Sequence, residues 1–325
     1  MILHQNPELF KQAIAFTAQE MGILDIYVEK DYWVTLALHT IFSHEFGKET
    51  VFKGGTALSK CYNMIERFSE DIDLVVLRNE DETGNQLKNK LKKITKTVAS
   101  ELVEVEVEGI THKKGMIRKT AYNYNKEFQG TFGQVRDIIV VEATWLGRYE
   151  PYHKQNIHSY IFEMMQATNQ MEIAKEFNLL PFEVQVLDVS RTICEKIMSL
   201  VRFSYGENAL ENLKNKVRHT YDIHQLLKNE EVNNFFNSLE FDTMLQTVAQ
   251  DDVESFKTGN TWLANHPNEA LLFNDIDTTW KALQPTYNNQ FKNLVYGELP
   301  QDTAIQQTLE RVRNRMKSVD WKVVL

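Results

Sequence analysis

The sequence predicts an α+β protein: a mixed β-sheet flanked by N-terminal helices and followed by a helical C-terminal domain. Runs with strand character are confined to residues 50–145, whereas apolar residues at helical spacing mark the first 46 residues and the chain beyond about residue 187. No Pro/Gly/Ser-rich linker separates the two parts, so we expect them to pack tightly. We place the boundary near Pro181, which gives one domain over 1–181 and a second over 182–325.

Two helices are predicted ahead of the sheet. The first has an apolar stripe from Leu9 to Thr17 and ends before Gly22, a typical helix terminator. The second lies in YVEKDYWVTLALHTIFSHEFG and stops at Gly47. A short strand at Thr50–Lys53 then leads into Gly54-Gly55 and a helix over 56–65.

Four further strands are predicted, in DIDLVV, LVEVEVEGI, MIRKTAYNYN and VRDIIVVEATW. The last is almost continuously apolar at its centre, which is typical of a strand covered on both faces. A helix over 85–102 carries its lysines outward, and the segment 149–177 is ambiguous. Beyond it, helices are predicted over 187–203, 209–228, 231–248 and 302–317, with no further strand before the last few residues.

Composition excludes several classes of protein. Of the 325 residues 42% are apolar and 25% charged, as in an ordinary folded protein, and 13 Gly and 6 Pro are too few for a collagen-like or low-complexity chain. No apolar run has the roughly 18 residues of a membrane helix, and the N-terminus does not resemble a secretory signal. The two cysteines, Cys61 and Cys194, exclude a disulfide scaffold and a cysteine zinc site. We therefore expect a cytoplasmic protein.

The charge is unevenly distributed. The chain has a net charge of −9, yet residues 85–126 contain ten Lys and Arg against four Glu, a local balance of +6. Binding depends on such local patches rather than on net charge. Two interpretations stay open for the lysines of 88–96: a solvated helix face, or a surface for RNA phosphates.

The segment VFKGGTALSKCYNMIERFSEDIDLVV carries the chemistry. Gly54-Gly55 lies between a strand and a helix, where glycine lets the backbone approach a ligand and the helix N-terminus favours an anion. Thr56 can cap that helix and offer a hydroxyl to a phosphate. A glycine pair by itself is more often a simple tight turn.

Asp71 and Asp73 are the second element of this segment. Residues i and i+2 of a strand point to the same side, so the two carboxylates are expected to project together, opposite Ile72 and Leu74. Like charges so close repel unless a cation lies between them, and Mg²⁺ prefers carboxylate oxygen. A solvated strand edge is the alternative for an isolated pair.

Taken as a whole, this segment resembles the first motif of polymerase-β-like nucleotidyltransferases. The residues that carry the resemblance are Gly54, Gly55, Thr56 and Leu58, followed by Arg67, Ser69, Asp71, Asp73 and Leu74. The spacing is most similar to the AbiEii nucleotidyltransferase toxin family, with its GGT-x-L and R-x-S-x-D-x-D-L elements. The early run EKDYWVTLAL, with Lys30 and Asp31, also resembles the N-terminal helix of that family. This resemblance implies that residues 1–181 hold a polymerase-β-like nucleotidyltransferase domain.

The resemblance implies further site residues. A third carboxylate on a neighbouring strand is expected at Glu142, with Asp137 as its rival. Lys196 of an E-K pair would contact nucleotide phosphates. Asp222 of an R-x-x-x-D element would support catalysis or hold the nucleotide, unless it only pairs with Arg218. Ser69 is expected among the nucleotide-binding residues, and a phosphate on it would block the metal site by its charge.

The resemblance also implies partners. We expect transfer of a nucleoside monophosphate from an NTP, with Mg²⁺ on Asp71, Asp73 and Glu142, to an RNA acceptor and to tRNA in particular. The protein would then be the toxin of a type IV toxin–antitoxin system that acts in phage defence, with an AbiEi-like antitoxin as partner. A small hydroxylated molecule or a protein side chain is the alternative acceptor. A module that binds NTP without turnover is the alternative function.

Overall fold

The structure, a computed structural model, describes residues 1–130, 135–255 and 259–325. The chain divides into two compact units. Unit 1 consists of Met1–Tyr62, Phe68–Trp145 and Tyr152–Leu187, and unit 2 of Asn63–Arg67, Leu146–Pro151 and Asp188–Leu325. The main break in the chain thus follows Leu187, and two short segments of the first half belong to unit 2.

Unit 1 contains six helices and seven strands among the described residues. The helices are α1 (Pro7–Met21), α2 (Asp25–Phe42), α3 (Gly54–Lys60), α4 (Gly84–Val98), α5 (Tyr160–Ala167) and α6 (Met171–Glu176), with 3₁₀ turns at Leu3–Gln5 and Glu45–Glu49. The strands are β1 (Thr50–Lys53), β2 (Ile72–Val76), β3 (Val103–Val105), β4 (Ile117–Asn123), β5 (Ile139–Thr144), β6 (Tyr152–Ile157) and β7 (Phe182–Leu187).

Local sequence explains where these helices begin and end. Asn6 caps α1 by accepting a hydrogen bond from the Leu9 N–H, Pro7 stands at its first position, and Gly22 ends it in a left-handed conformation. Thr83 and Gln86 form a capping box at the start of α4. Both helices bury an apolar stripe, as their spacing predicts.

The seven strands form one mixed sheet in the order β3-β4-β5-β2-β1-β7-β6. Strand β2 is central: it pairs antiparallel with β1 and parallel with β5. One face of the sheet is apolar. Phe52, Leu74 and Ala143 lie on it in register and join the main core together with residues of α1, α2 and α4. The opposite face carries the polar residues of the site.

Unit 2 is helical in its described part. Its helices are α7 (Val189–Phe203), α8 (Ala209–Lys214), α9 (Arg218–Leu226), α10 (Glu230–Phe236), α11 (Leu239–Ser255), α12 (Leu271–Asn274), α13 (Ile276–Pro285) and α14 (Asp302–Met316), with 3₁₀ turns at Thr261–Ala264, Pro267–Glu269 and Phe291–Leu294 and a π-helical turn at Thr286–Gln290. Within the described ranges, none of the helices in either unit is long and apolar enough to cross a membrane.

The α+β class and the mixed sheet are confirmed, but two strands differ from prediction. The ambiguous segment 149–177 supplies β6 followed by α5 and α6, and β7 lies where only helix was predicted. Strand β7 buries Val184 and Val186 while Glu183 and Gln185 alternate with them, so its polar half obscured the pattern. The predicted helix over 209–228 is two helices, and the last residues form no strand.

Candidate active site

The polar face of the sheet carries a row of four charged residues. Lys53 of β1 is the register partner of Asp73 in β2, Asp73 that of Glu142 in β5, and Glu142 that of Lys119 in β4. Register partners project from the same face of a sheet. Asp73 and Glu142 therefore stand side by side, and Lys119 closes the row with an ion pair to Glu142 of 2.9 Å.

The predicted glycine turn lies against the first of these carboxylates. Gly54 has φ +82°, a left-handed conformation that favours glycine, and a Cβ added there would overlap the Asp73 carboxylate, with its carbon at 3.1 Å. Glycine is thus required by close approach as well as by backbone conformation. Gly55 is the second residue of α3, which begins at Gly54 directly after β1.

Thr56 holds the loop that carries Asp71. Its side chain is buried, and its hydroxyl donates to the Asp71 carbonyl at 2.6 Å and lies 3.1 Å from Ser69 Oγ. The expected capping role is wrong: α3 begins at Gly54, its N-cap is Lys53, and no side chain caps it. The Thr56 hydroxyl therefore ties the start of α3 to the segment that precedes β2.

Asp71 lies just before β2 and pairs with Arg136, whose Nη1 is 2.7 Å from Asp71 Oδ1. Although burial lowers the pKa of Arg136, the charges of Asp71, Glu70 and Asp73 raise it above its ordinary value. Arg136 thus supplies positive charge beside the two aspartates, which offsets their mutual repulsion.

The two candidates for the third carboxylate have different positions. Glu142 is half-buried on the polar face beside Asp73. Asp137 precedes β5, exposes 65% of its side chain and pairs with Lys126 at 3.0 Å. Of the two, Glu142 is the one that neighbours Asp73 in strand register.

The donor set suits a hard cation in its chemistry, since Asp71, Asp73 and Glu142 offer carboxylate oxygens on adjacent segments. Throughout the described ranges, however, no three His, Cys, Asp or Glu side chains are grouped closely enough to hold a metal ion as they stand. Arg136 and Lys119 bond to two of the three carboxylates instead. A cation bound here would balance the negative charge of the carboxylates that Arg136 and Lys119 now balance.

A second predicted group lies in unit 2. Asp222 of α9 accepts bidentate hydrogen bonds from Arg67, at 2.7 and 2.8 Å, and Lys196 of α7 donates to its Oδ2 at 2.7 Å. All three are buried, with exposed fractions of 2%, 5% and 0% for Arg67, Lys196 and Asp222. Asp222 is thus bound by these two cations, and among the described residues its carboxylate makes no ion pair with Arg218.

Two cations on one carboxylate shift its titration. Burial raises the pKa of Asp222, but the charges of Arg67 and Lys196 outweigh it and hold that pKa well below its ordinary value. The carboxylate is therefore ionised at any physiological pH. Arg67, Lys196 and Asp222 balance one another's charge in the protein interior. Removing one of them would leave an uncompensated buried charge and lower the free energy of unfolding by about 3–5 kcal/mol.

Three contributors were not assigned a role from sequence: Arg67 as the partner of Asp222, Arg136 as the partner of Asp71, and Lys119 as the partner of Glu142. The R-x-S-x-D-x-D element contains Arg67 but does not indicate which residue it pairs with. Lys119 and Arg136 reach the site through strand register and a long-range contact, neither of which leaves a local sequence signal.

A basic surface lies on α4 and the 112–118 segment. Two hollows of about 340 and 830 Å³ adjoin it, and the cationic residues that line them are Lys88, Lys90, Lys92, Lys93, Lys96, Lys113, Lys114 and Arg118. Lys90 and Lys113 pair with glutamates. In the part of the chain that is described, the exposed lysines 88, 92, 93, 96 and 114 make no ion pair.

Comparison with known proteins adds the following. A family profile described as "Nucleotidyl transferase AbiEii toxin, Type IV TA system" matches residues 37–322. A solved structure, MenT4, a nucleotidyltransferase toxin from Mycobacterium tuberculosis H37Rv, has a TM-score of 0.53 and 15% sequence identity over 94% of this chain and 90% of that one. At that identity the likeness concerns the fold. No curated protein matches the sequence.

Proposed function

This chain belongs to the AbiEii family of nucleotidyltransferase toxins of type IV toxin–antitoxin systems, and from that premise we propose that it transfers a nucleoside monophosphate from an NTP to a hydroxyl of RNA, tRNA in particular. The new bond joins the acceptor oxygen to the α-phosphorus, and pyrophosphate leaves. The reaction takes place in the cytoplasm, where both substrates are found. The observation that carries the proposal is the position of Asp73, which lies against the Gly54 turn and beside Glu142 in strand register.

Asp71, Asp73 and Glu142 are the residues that would hold Mg²⁺. When bound, the ion would neutralise phosphate oxygens and lower the pKa of the acceptor hydroxyl. Gly54 and Gly55 leave room for a triphosphate to approach the backbone at the start of α3. The loop around Ser69 and Thr56 fixes Asp71 by its carbonyl, so that the carboxylate is oriented before substrate binds.

Lys196 and Asp222 are proposed to serve the nucleotide as a unit. The Lys196 ammonium would balance triphosphate charge as a compact point donor. Asp222, held by Arg67 from the other side, fixes where that ammonium stands. In this role Asp222 acts through Lys196 and is a positioning residue.

The basic surface supports RNA as the acceptor. Five exposed lysines without an acidic partner among the described residues converge on two hollows, in a chain whose net charge is −9. Such a concentration of positive charge is what a phosphodiester backbone binds. A small-molecule acceptor would not require it.

The direct test incubates the purified protein with an α-³²P-labelled NTP, Mg²⁺ and total RNA. We expect label in RNA and release of pyrophosphate, both lost in Asp71→Asn. If label appears only on the protein itself or on small hydroxylated molecules, the acceptor is one of these and not RNA. NTP binding by calorimetry without any pyrophosphate release would refute transfer altogether.

The RNA surface has its own test with a matched control. Changing Lys88, Lys92 and Lys114 to Gln should reduce the slope of log affinity against log salt by about 2–3, because each lost phosphate contact contributes roughly 0.7–0.9. The control removes the same charge from three exposed lysines of unit 2: Lys228, Lys281 and Lys292. Equal slopes for the two triple variants would contradict an RNA role for this surface.

The family also implies an antitoxin partner. We propose that a cognate AbiEi-like protein neutralises growth arrest by this toxin. Co-expression of the product of the adjacent reading frame should restore growth, whereas Asp71→Asn should make that partner unnecessary. Undiminished arrest in the presence of the partner would contradict the pairing.

A further inference from the structure

Helix α2 contains three consecutive charged residues that are almost completely buried. Glu29, Lys30 and Asp31 expose 0%, 0% and 4% of their surface. Charged residues are rarely buried in this way, because leaving water costs several kcal/mol per ion unless each charge finds partners. Each of these three charges therefore has to find partners inside the fold.

Each of the three holds a different segment of unit 1. Glu29 accepts hydrogen bonds from the N–H groups of residues 127 and 128, at 2.6 and 3.2 Å. Asp31 pairs with Lys60 at the end of α3, at 2.6 Å, and accepts from the N–H of residue 160, at 2.9 Å. Lys30 reaches the segments that precede β2 and β5.

Lys30 is linked to Asp71 by an unbroken set of polar contacts. Its ammonium pairs with Glu70 and also donates to the Arg136 carbonyl. The Arg136 N–H in turn donates to Glu70 Oε1 at 2.9 Å, and the Arg136 guanidinium to Asp71 Oδ1 at 2.7 Å. Lys30 thus fixes both the residue that adjoins Asp71 and the backbone of the residue that bonds to its carboxylate.

We propose that Lys30 is a positioning residue for the Asp71 carboxylate, acting through Glu70 and Arg136. Arg136 engages Oδ1, and within the described residues Oδ2 accepts no hydrogen bond, so one oxygen is oriented while the other stays available to a cation. Hydrogen bonds of this kind to ligand side chains commonly affect metal affinity by 10- to 100-fold. The inference rests on the proposed function in one respect, that Asp71 binds the metal.

The test removes the buried pair without leaving a lone charge. The double variant Lys30→Met/Glu70→Met keeps the net charge and replaces an ion pair by apolar side chains, an exchange that is often neutral for stability. We expect Mn²⁺, used alone as the probe, to bind 10- to 100-fold more weakly by calorimetry.

The matched control is Arg315→Met/Asp242→Met, which removes a mostly buried ion pair in unit 2. All affinities are measured well below the unfolding temperature of each variant, which circular dichroism determines. If wild type and control bind Mn²⁺ while the Lys30 variant binds it equally well, the positioning role is refuted. If the wild type itself binds no Mn²⁺, the metal site of the proposed function fails instead, and the two failures are distinguishable.

Discussion

Replacing Gly54 by alanine should slow nucleotidyl transfer by about 10²-fold while leaving the protein folded. The substitution has two costs. A side chain at φ +82° strains the backbone by about 1–2 kcal/mol, and the new Cβ overlaps the Asp73 carboxylate. To restore an ordinary contact the carboxylate oxygen must move by about 1 Å, and a displacement of that size at a reacting centre costs on the order of 10²-fold in rate.

Gly109 provides the matched control. It also has a left-handed backbone, with φ +74°, but a Cβ added there meets no atom within 4 Å. Gly109→Ala therefore carries the strain without the overlap. Both variants should lose a few degrees of unfolding temperature, and only Gly54→Ala should lose activity.

The assay combines transfer of labelled nucleotide to RNA with growth arrest on induced expression, and thermal unfolding reports stability. A loss of about 10²-fold in Gly54→Ala against near wild-type transfer in Gly109→Ala is the expected result. Equal activity in the two variants would refute the reasoning, because the contact between the glycine turn and Asp73 would then have no consequence for catalysis.

Three further predictions concern single side chains. Asp222→Ala should lower the free energy of unfolding in urea by about 3–5 kcal/mol, since it leaves Arg67 and Lys196 buried without their carboxylate; a change below about 1 kcal/mol would contradict that account. The depressed pKa of Asp222 stabilises the protein fully above about pH 4, the ordinary Asp pKa, and this contribution is lost as pH falls toward the lowered value; the acid slope of unfolding free energy should be shallower in Asp222→Asn. Ser69→Glu should block transfer by placing negative charge near the loop of Asp71, and full activity would argue against that effect.

Sequence was most informative where the site is local in the chain. Gly54 directly follows β1 and lies 19 residues before Asp73 of β2, the strand that pairs with β1, and the resemblance to a known motif predicted that the two belong to one site. The choice of Glu142 over Asp137 was made on the resemblance; the register that places Glu142 beside Asp73 is not encoded in any short sequence pattern.

Long-range polar partners were the main omission. Arg136 reaches Asp71 from 65 residues away, and Lys30 reaches Arg136 across 106 residues. Nothing near Lys30 in sequence distinguishes a buried lysine from an exposed one, because α2 is rich in apolar residues on all sides. In the same way the polar half of β7 concealed a strand, since Gln185 uses its amide to bond with the carbonyls of residues 47, 48 and 50.

The R-x-S-x-D-x-D element crosses the division between the two compact units. Arg67 belongs to unit 2, where it binds Asp222, and Ser69, Asp71 and Asp73 belong to unit 1. A fragment that ended at Leu187 would retain every carboxylate of the sheet. It would also retain Arg67, but it would lack Asp222, the counterion of that guanidinium. Any shortened version of this toxin that contains Arg67 therefore also has to contain α9, which supplies Asp222.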